Sequence, residues 1–282
     1  MLINGYTTKA AALRALNKVL EAHGYGKISG LLADPLSNPK VAKNGKLIGV
    51  MTFPMHLAPA SLGGFNVCAQ ASEGCKAACL HTAGNPVYMA GKTRSRIAKV
   101  QGYFRARKAF MAVLAFEIAA ARRKAAKAGM ECAIRLNATS DIAWERVPVM
   151  IDGGAGSLME HHPDLSFYDY TKITKRALQA ANADPKWPAN YHLTFSKAED
   201  NDVDVLAVLR AGGNVSIVFD RKHRLPGFVA PSGTGLAVHP WGGWQVTDGD
   251  AHDYRPADPA GCIVGLKAKG DARNDTSGFV MR

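Results

Sequence analysis

The chain has 282 residues, 47% of them hydrophobic, which is enough for a full buried core in one or two domains. No apolar run is long enough to span a bilayer and the N-terminal stretch reads as a polar-faced helix, so neither a membrane span nor a secretory leader is expected, and cytoplasmic residence is. A net charge of +12 points toward polyanions as partners.

In chain order, the pattern predicts a first helix over residues 8–23. Thr7 or Thr8 caps it, Leu13, Leu16 and Leu20 form its apolar stripe, and Gly24 ends it. Residues 31–44, with Pro35 and Pro39, read as a loop. An apolar strand over 47–53 follows, then a bend at Gly63-Gly64. Three of the five cysteines come next, Cys68, Cys75 and Cys79, spaced C-x6-C-x3-C with His81 two residues beyond. Thiolates this close together are costly unless a metal or a disulfide intervenes, and three cysteines cannot pair off. The spacing therefore predicts a metal or cluster site. Cys132 and Cys262 lie inside apolar runs and read as small buried residues.

Residues 92–127 carry eleven lysines and arginines against the single acid Glu117. Ile97, Val100, Phe104, Met111, Leu114 and Ile118 recur at helical spacing, so one long helix is predicted over 92–128 with basic residues around its other faces. A surface helix usually interleaves acids with bases. The absence of acids here predicts contact with nucleic-acid phosphates through Arg94, Arg96, Lys99, Arg105, Arg107 and Lys108, with Lys267 and Arg273 as further anion contacts.

Six more strands are predicted over 131–137, 165–170, 191–195, 214–219, 244–247 and 262–267, with helices over 174–182 and 202–211. Strands alternating with helices imply a parallel sheet covered on both faces. The expected fold is α/β, a partial or complete (β/α) TIM-like barrel over residues 46–282 with an N-terminal helical extension over residues 1–45. Polar groups follow almost every strand, and the carboxyl ends of parallel strands form the ligand face in such folds. Asp141, Asp169, Lys197, Asp248 and Asp250 are accordingly the candidate catalytic residues. The run Asp248-Gly249-Asp250 with His252 and Asp253 can also be read as a divalent-metal nuclease centre, or as a solvated Asp-Gly turn. Ser232-Gly-Thr-Gly235 reads as a flexible turn, Trp241 and Trp244 as a base-stacking or barrel-closing pair, and His161-His162 as a polar surface loop.

Four stretches, NVCAQASEGCKAACLHTAG, RLNATSDIAWE, VTDGDAHDYRP and GLKAKGDARNDTSGFV, resemble an uncharacterised phage-associated gene-product family. A barrel with a three-cysteine loop after its first strand more distantly resembles the radical S-adenosylmethionine enzymes, although their usual spacing is C-x3-C-x2-C. That resemblance implies a 4Fe–4S cluster on Cys68, Cys75 and Cys79, S-adenosylmethionine held near Asn137, Ser140 and Glu145, and a nucleic acid or nucleotide as substrate. The phage-associated resemblance would place the chain in the cytoplasm of a bacterial host. The competing expectations are a zinc ion on the three cysteines and His81 in a binding protein without catalysis, and the nuclease centre above.

Overall fold

The computed structural model describes residues 1–37, 39–81, 89–220 and 243–282. The chain divides into two compact units, Met1–Ala69 with Asn85–Phe167, and Gln70–Gly84 with Tyr168–Arg282.

In the first unit, helix α1 (Lys9–Ala22) starts where expected: the Thr8 hydroxyl accepts from the Ala11 amide, and Leu16 and Leu20 are buried. It packs on α4 (Ala90–Arg105) and α5 (Arg107–Lys127). The segment expected as a loop instead holds α2 (Pro39–Ile48). A proline lacks the N–H that a helix leaves unpaired in its first turn, so Pro39 opens this helix rather than preventing it. Strand β1 (Val50–Pro54) then pairs in parallel with β2 (Glu131–Arg135), and β2 with the start of β5 (Ser166–Thr171). The expected single basic helix is two helices, broken at Ala106 (φ −134°, ψ 46°), which ends α4 and precedes α5. Between β2 and β5 lie a short hairpin, β3 (Val149–Ile151) and β4 (Gly154–Gly156), and the four-residue helix α6 (Leu158–His161). The hairpin turns on Asp152 (φ 47°) and Gly153 (φ 88°), the left-handed pair that a two-residue turn requires.

In the second unit, the strand order is β5, β6 (Tyr191–Ser196), β7 (Asn214–Phe219), β9 (Ile263–Lys267) and β8 (Val246–Asp248), with β10 (Val280–Met281) also on β7. The pairings of β6, β8 and β10 with β7 or β9 are parallel. Helices α7 (Thr174–Ala181) and α8 (Asp202–Arg210) cover one face, where Phe195, Val215, Ile217, Val246 and Ile263 form a core with Ala177, Val205, Val208 and Leu209. Short helix α3 (Glu73–Ala77), which carries Cys75, belongs to this unit. The fold is thus mixed α/β with a parallel sheet. Among the described residues, the strand order begins at β1 and ends at β8. Among the described residues, no helix is long and apolar enough to cross a membrane.

Candidate functional site

The first unit carries a cationic, aromatic surface at the α4–α5 junction. Its formation begins with Glu117. This lone acid of the two helices is buried; it accepts the backbone N–H groups of Leu31 and Leu32 at 2.9 and 2.8 Å and pairs with Lys9 at 2.6 Å. A Cβ at Gly30 would come within 2.5 Å of the same carboxylate, so glycine is what lets the chain close over it. Lys99 also turns inward, its Nζ donating to the Leu31 carbonyl at 2.8 Å. Burial pulls its ammonium down to about 8, against the opposing pull of Glu117. Lys99, expected as a phosphate contact, is thus held by the Leu31 carbonyl.

The outward faces are left with bases alone. Arg94, Arg105, Arg107, Lys108, Arg123 and Lys127 are exposed and form no ion pair among the described residues. Arg122 and Lys124 are paired, with Asp164 at 2.8 Å and Asp34 at 2.7 Å. Arg96 is half-buried. At the junction, Phe65 and Phe104 stack face to face, with centroids 4.3 Å apart and planes 12° from parallel. Arg105 lies over Phe65 at 5.6 Å, and Arg107 over Tyr103 at 4.3 Å and Phe104 at 5.9 Å.

Phe65 reaches this position because residues 60–67 lie directly on α4. A Cβ on Gly63 would meet Val100 at 2.7 Å, and Gly64 adopts φ +83° where its own Cβ would meet Gln101. Gln101, itself buried, donates to the Gly63 carbonyl at 2.6 Å and accepts from Arg105 Nε at 2.6 Å. Sequence patterning points to neither this bridge nor the role of Phe65. The one available signal is an aromatic residue directly after a Gly-Gly bend.

The loop after β2 is organised around Asn137. Its buried Oδ1 accepts from Ser140 Oγ (2.8 Å), the Ile142 amide (3.0 Å) and Trp144 Nε1 (2.9 Å), and its Nδ2 donates to the Ile142 carbonyl (2.9 Å). Asn137 and Ser140 thus hold their own loop. Asp141 donates its amide to the Val67 carbonyl at 2.8 Å, and the largely buried Glu145 carboxylate lies 3.7 Å from Arg146. Cys68, in the same unit, accepts the Ala60 amide at 3.4 Å and faces the Thr139 carbonyl at 4.0 Å. His161-His162, expected on the surface, is structural: His162 is buried and the His161 ring bonds the Val149 carbonyl at 3.0 Å.

In the second unit, the segment carrying Cys75 and Cys79 is fastened by Glu199. One carboxylate oxygen accepts Ser72 Oγ and the other the Gly74 amide, both at 2.7 Å. Ser72 in turn caps α3 by accepting the Cys75 amide at 3.2 Å. Burial pushes the Glu199 carboxyl up, but the hydrogen bonds from Ser72 and Gly74 outweigh it and hold the group below the usual carboxylate range. A side chain at Gly74 would collide with Ser277 and Glu199. Ala78 packs with Ala268, Ala272 and Val280. Cys75 and Cys79 are half-buried thiols outside any disulfide, as is Cys68 in its own unit. Cys132 and Cys262 differ, burial raising both thiols to about 12.

The other candidates in this unit are individually engaged. Lys197 is buried; its Nζ donates to the Ala198 carbonyl at 2.8 Å and lies 3.7 Å from Asp202, and burial lowers its ammonium. Asp169 is buried and accepts from the Tyr191 hydroxyl at 2.9 Å, which also receives Arg176 at 3.3 Å. Asp248 Oδ1 accepts the Asp250 amide at 2.8 Å, as in an Asp-Gly turn, while Asp250 pairs with Lys269 at 2.6 Å and accepts the Lys267 amide. Asp253 is buried and accepts from Tyr168 at 3.2 Å. Lys267 and Arg273 are exposed. Among the described residues, no three or more His, Cys, Asp or Glu side chains gather into a metal-holding group. Trp244 packs against the second unit's core. The Ser232–Gly235 turn and Trp241 lie outside the described residues.

A family model described as gene product 88 matches residues 30–282. Comparison with curated proteins gives no match, and comparison with solved structures gives none.

Proposed function

The chain belongs to the gene product 88 family, and we propose that it binds nucleic acid through the α4–α5 surface of its first unit. The observation that carries this reading is the inward turn of Glu117, which leaves Arg94, Arg105, Arg107, Lys108, Arg123 and Lys127 exposed with no ion-pair partner among the described residues. Helix α5 also begins on Arg107 and Lys108, just past Arg105, with no acid in its first turn, a placement opposed by the helix dipole and relieved by a bound anion. Association with a labelled oligonucleotide, followed by fluorescence anisotropy at several salt concentrations, tests the reading. Affinity should fall steeply with salt. Reversing Arg105, Arg107 and Lys108 to Glu should flatten that slope by about one for each phosphate no longer neutralised. Weak, salt-insensitive association would overturn it.

A second reading makes the chain an iron–sulfur enzyme of the radical S-adenosylmethionine type acting on that nucleic acid or on a nucleotide. It is favoured by three half-buried thiols within twelve residues, against two others silenced by burial. The ligand set is not assembled among the described residues, and the Asn137 amide is spent on its own loop. A cluster bound there would supply electrons to the reaction, while the chain's own residues hold the nucleic acid and position the thiols. Metal and sulfide analysis after anaerobic purification separates the readings. About four irons and four sulfides per chain support the cluster. One zinc supports a zinc-stapled binding protein, and neither removes the cysteine site altogether.

A further inference from the structure

We propose that the stacked Phe65–Phe104 pair is a platform for an unpaired base, so that the nucleic acid taken by this surface is single-stranded. This rests on the reading of the α4–α5 junction as a nucleic-acid interface. A duplex recognised through its phosphates needs cations alone, and the bases inside it offer no free ring face. The junction supplies more than cations. Two half-buried rings lie parallel with 4.3 Å between centroids, and guanidinium groups stand near them without closing on them, Arg105 5.6 Å from the Phe65 centroid and Arg107 5.9 Å from that of Phe104. Three residues before Phe65 on the same loop, Leu62 is 46% exposed and adds apolar surface there.

Aromatic faces and guanidinium planes are the two surfaces on which splayed bases stack, and neither depends on base identity. The platform is also held in place. Gln101 ties Arg105 to the Gly63 carbonyl, so ring and guanidinium keep their relative placement before any ligand arrives. Preorganisation of this kind lowers the ordering cost of binding. The charge fits as well, because the phosphates on either side of a stacked base would meet Lys108 and the two stacking arginines, all exposed.

The test compares two single-stranded DNA probes of equal length and charge, one of thymidines and one of abasic residues, with a duplex as a third. The wild-type chain should bind the thymidine strand about 5- to 100-fold more tightly than the abasic strand, and more tightly than the duplex at the same salt. Phe65→Leu keeps the apolar volume but removes the ring face. It should bring thymidine binding down to the abasic level while leaving abasic binding and its salt slope unchanged, which also shows that the variant is folded. Arg105→Lys, which keeps the charge and removes the plane, should act in the same direction with a smaller loss. Equal wild-type affinity for thymidine and abasic strands overturns the platform and spares the electrostatic reading. Binding to none of the three probes overturns both.

Discussion

Two side chains illustrate what burial does to polar groups here. Asn137 satisfies a hydroxyl, an indole N–H and both backbone groups of Ile142 from one buried position. Replacing it by Ala strands Trp144 Nε1 and the Ile142 pair away from water. The loss should be on the order of 3 kcal/mol, read as a lower denaturant midpoint at an unchanged slope. His192 behaves oppositely, because its Nε2 is buried with no hydrogen-bond partner among the described residues. Burial, reinforced by the charge of Arg255, depresses its imidazole from 6.5 to about 4. The unfolded chain therefore binds the extra proton first. Stability from this group is fully present above pH 6.5 and is lost as the pH falls toward 4. Unfolding free energies measured at pH 7 and pH 4.5 should show a difference that shrinks by roughly 2–3 kcal/mol in His192→Phe. An equal pH dependence in the variant would remove His192 as the cause.

The loop over residues 60–67 depends on two glycines for different reasons, close approach at Gly63 and a left-handed backbone at Gly64. Gly63→Ala drives a methyl into Val100, so either the loop lifts or α4 shifts. Thermal unfolding should report a loss of about 1–3 kcal/mol, with nucleic-acid affinity falling alongside because Phe65 moves. Much of the architecture is legible in the residues alone. All seven sheet strands expected from apolar runs are present within a few residues, because buried parallel strands are written as uninterrupted apolar segments. The misses have physical causes. Pro39 reads as a breaker although a helix accepts proline at its start, and the break at Ala106 carries no glycine or proline to announce it. Strand β10 has only two residues, too few for any periodicity, whereas the Asp152-Gly153 turn is a readable hairpin signal inside a segment expected as loop. In the candidate sites, composition reveals the excess of base but not which bases face outward. Lys99 and Glu117 turn inward because of a loop some seventy to ninety residues earlier, and the partners of Glu199 lie about 125 residues before it, beyond any periodicity. Contacts of that range are set by the fold and leave no local trace.

Taken as one charged body, the chain carries +12, and eleven bases lie in a segment of thirty-six residues whose one acid is internal. Like charges crowded on one surface oppose compaction, and dissolved salt screens that repulsion over about 10 Å at 0.1 M. Raising sodium chloride from about 10 to 150 mM should therefore raise the unfolding temperature while weakening nucleic-acid binding. If the two quantities moved together, repulsion at this surface would not be what limits stability. The buried carboxylate of Glu117 has a thermodynamic consequence as well. Held by Leu31, Leu32 and Lys9, it cannot swing out to balance its neighbours, and no rotamer change among the exposed side chains creates a negative charge. Beyond Asp164 and Asp34, which pair with Arg122 and Lys124, neutrality at that surface has to be imported from solution. The ion atmosphere is then a component of the native state rather than its surroundings, and a folding free energy for this chain is defined only together with the electrolyte in which it was measured.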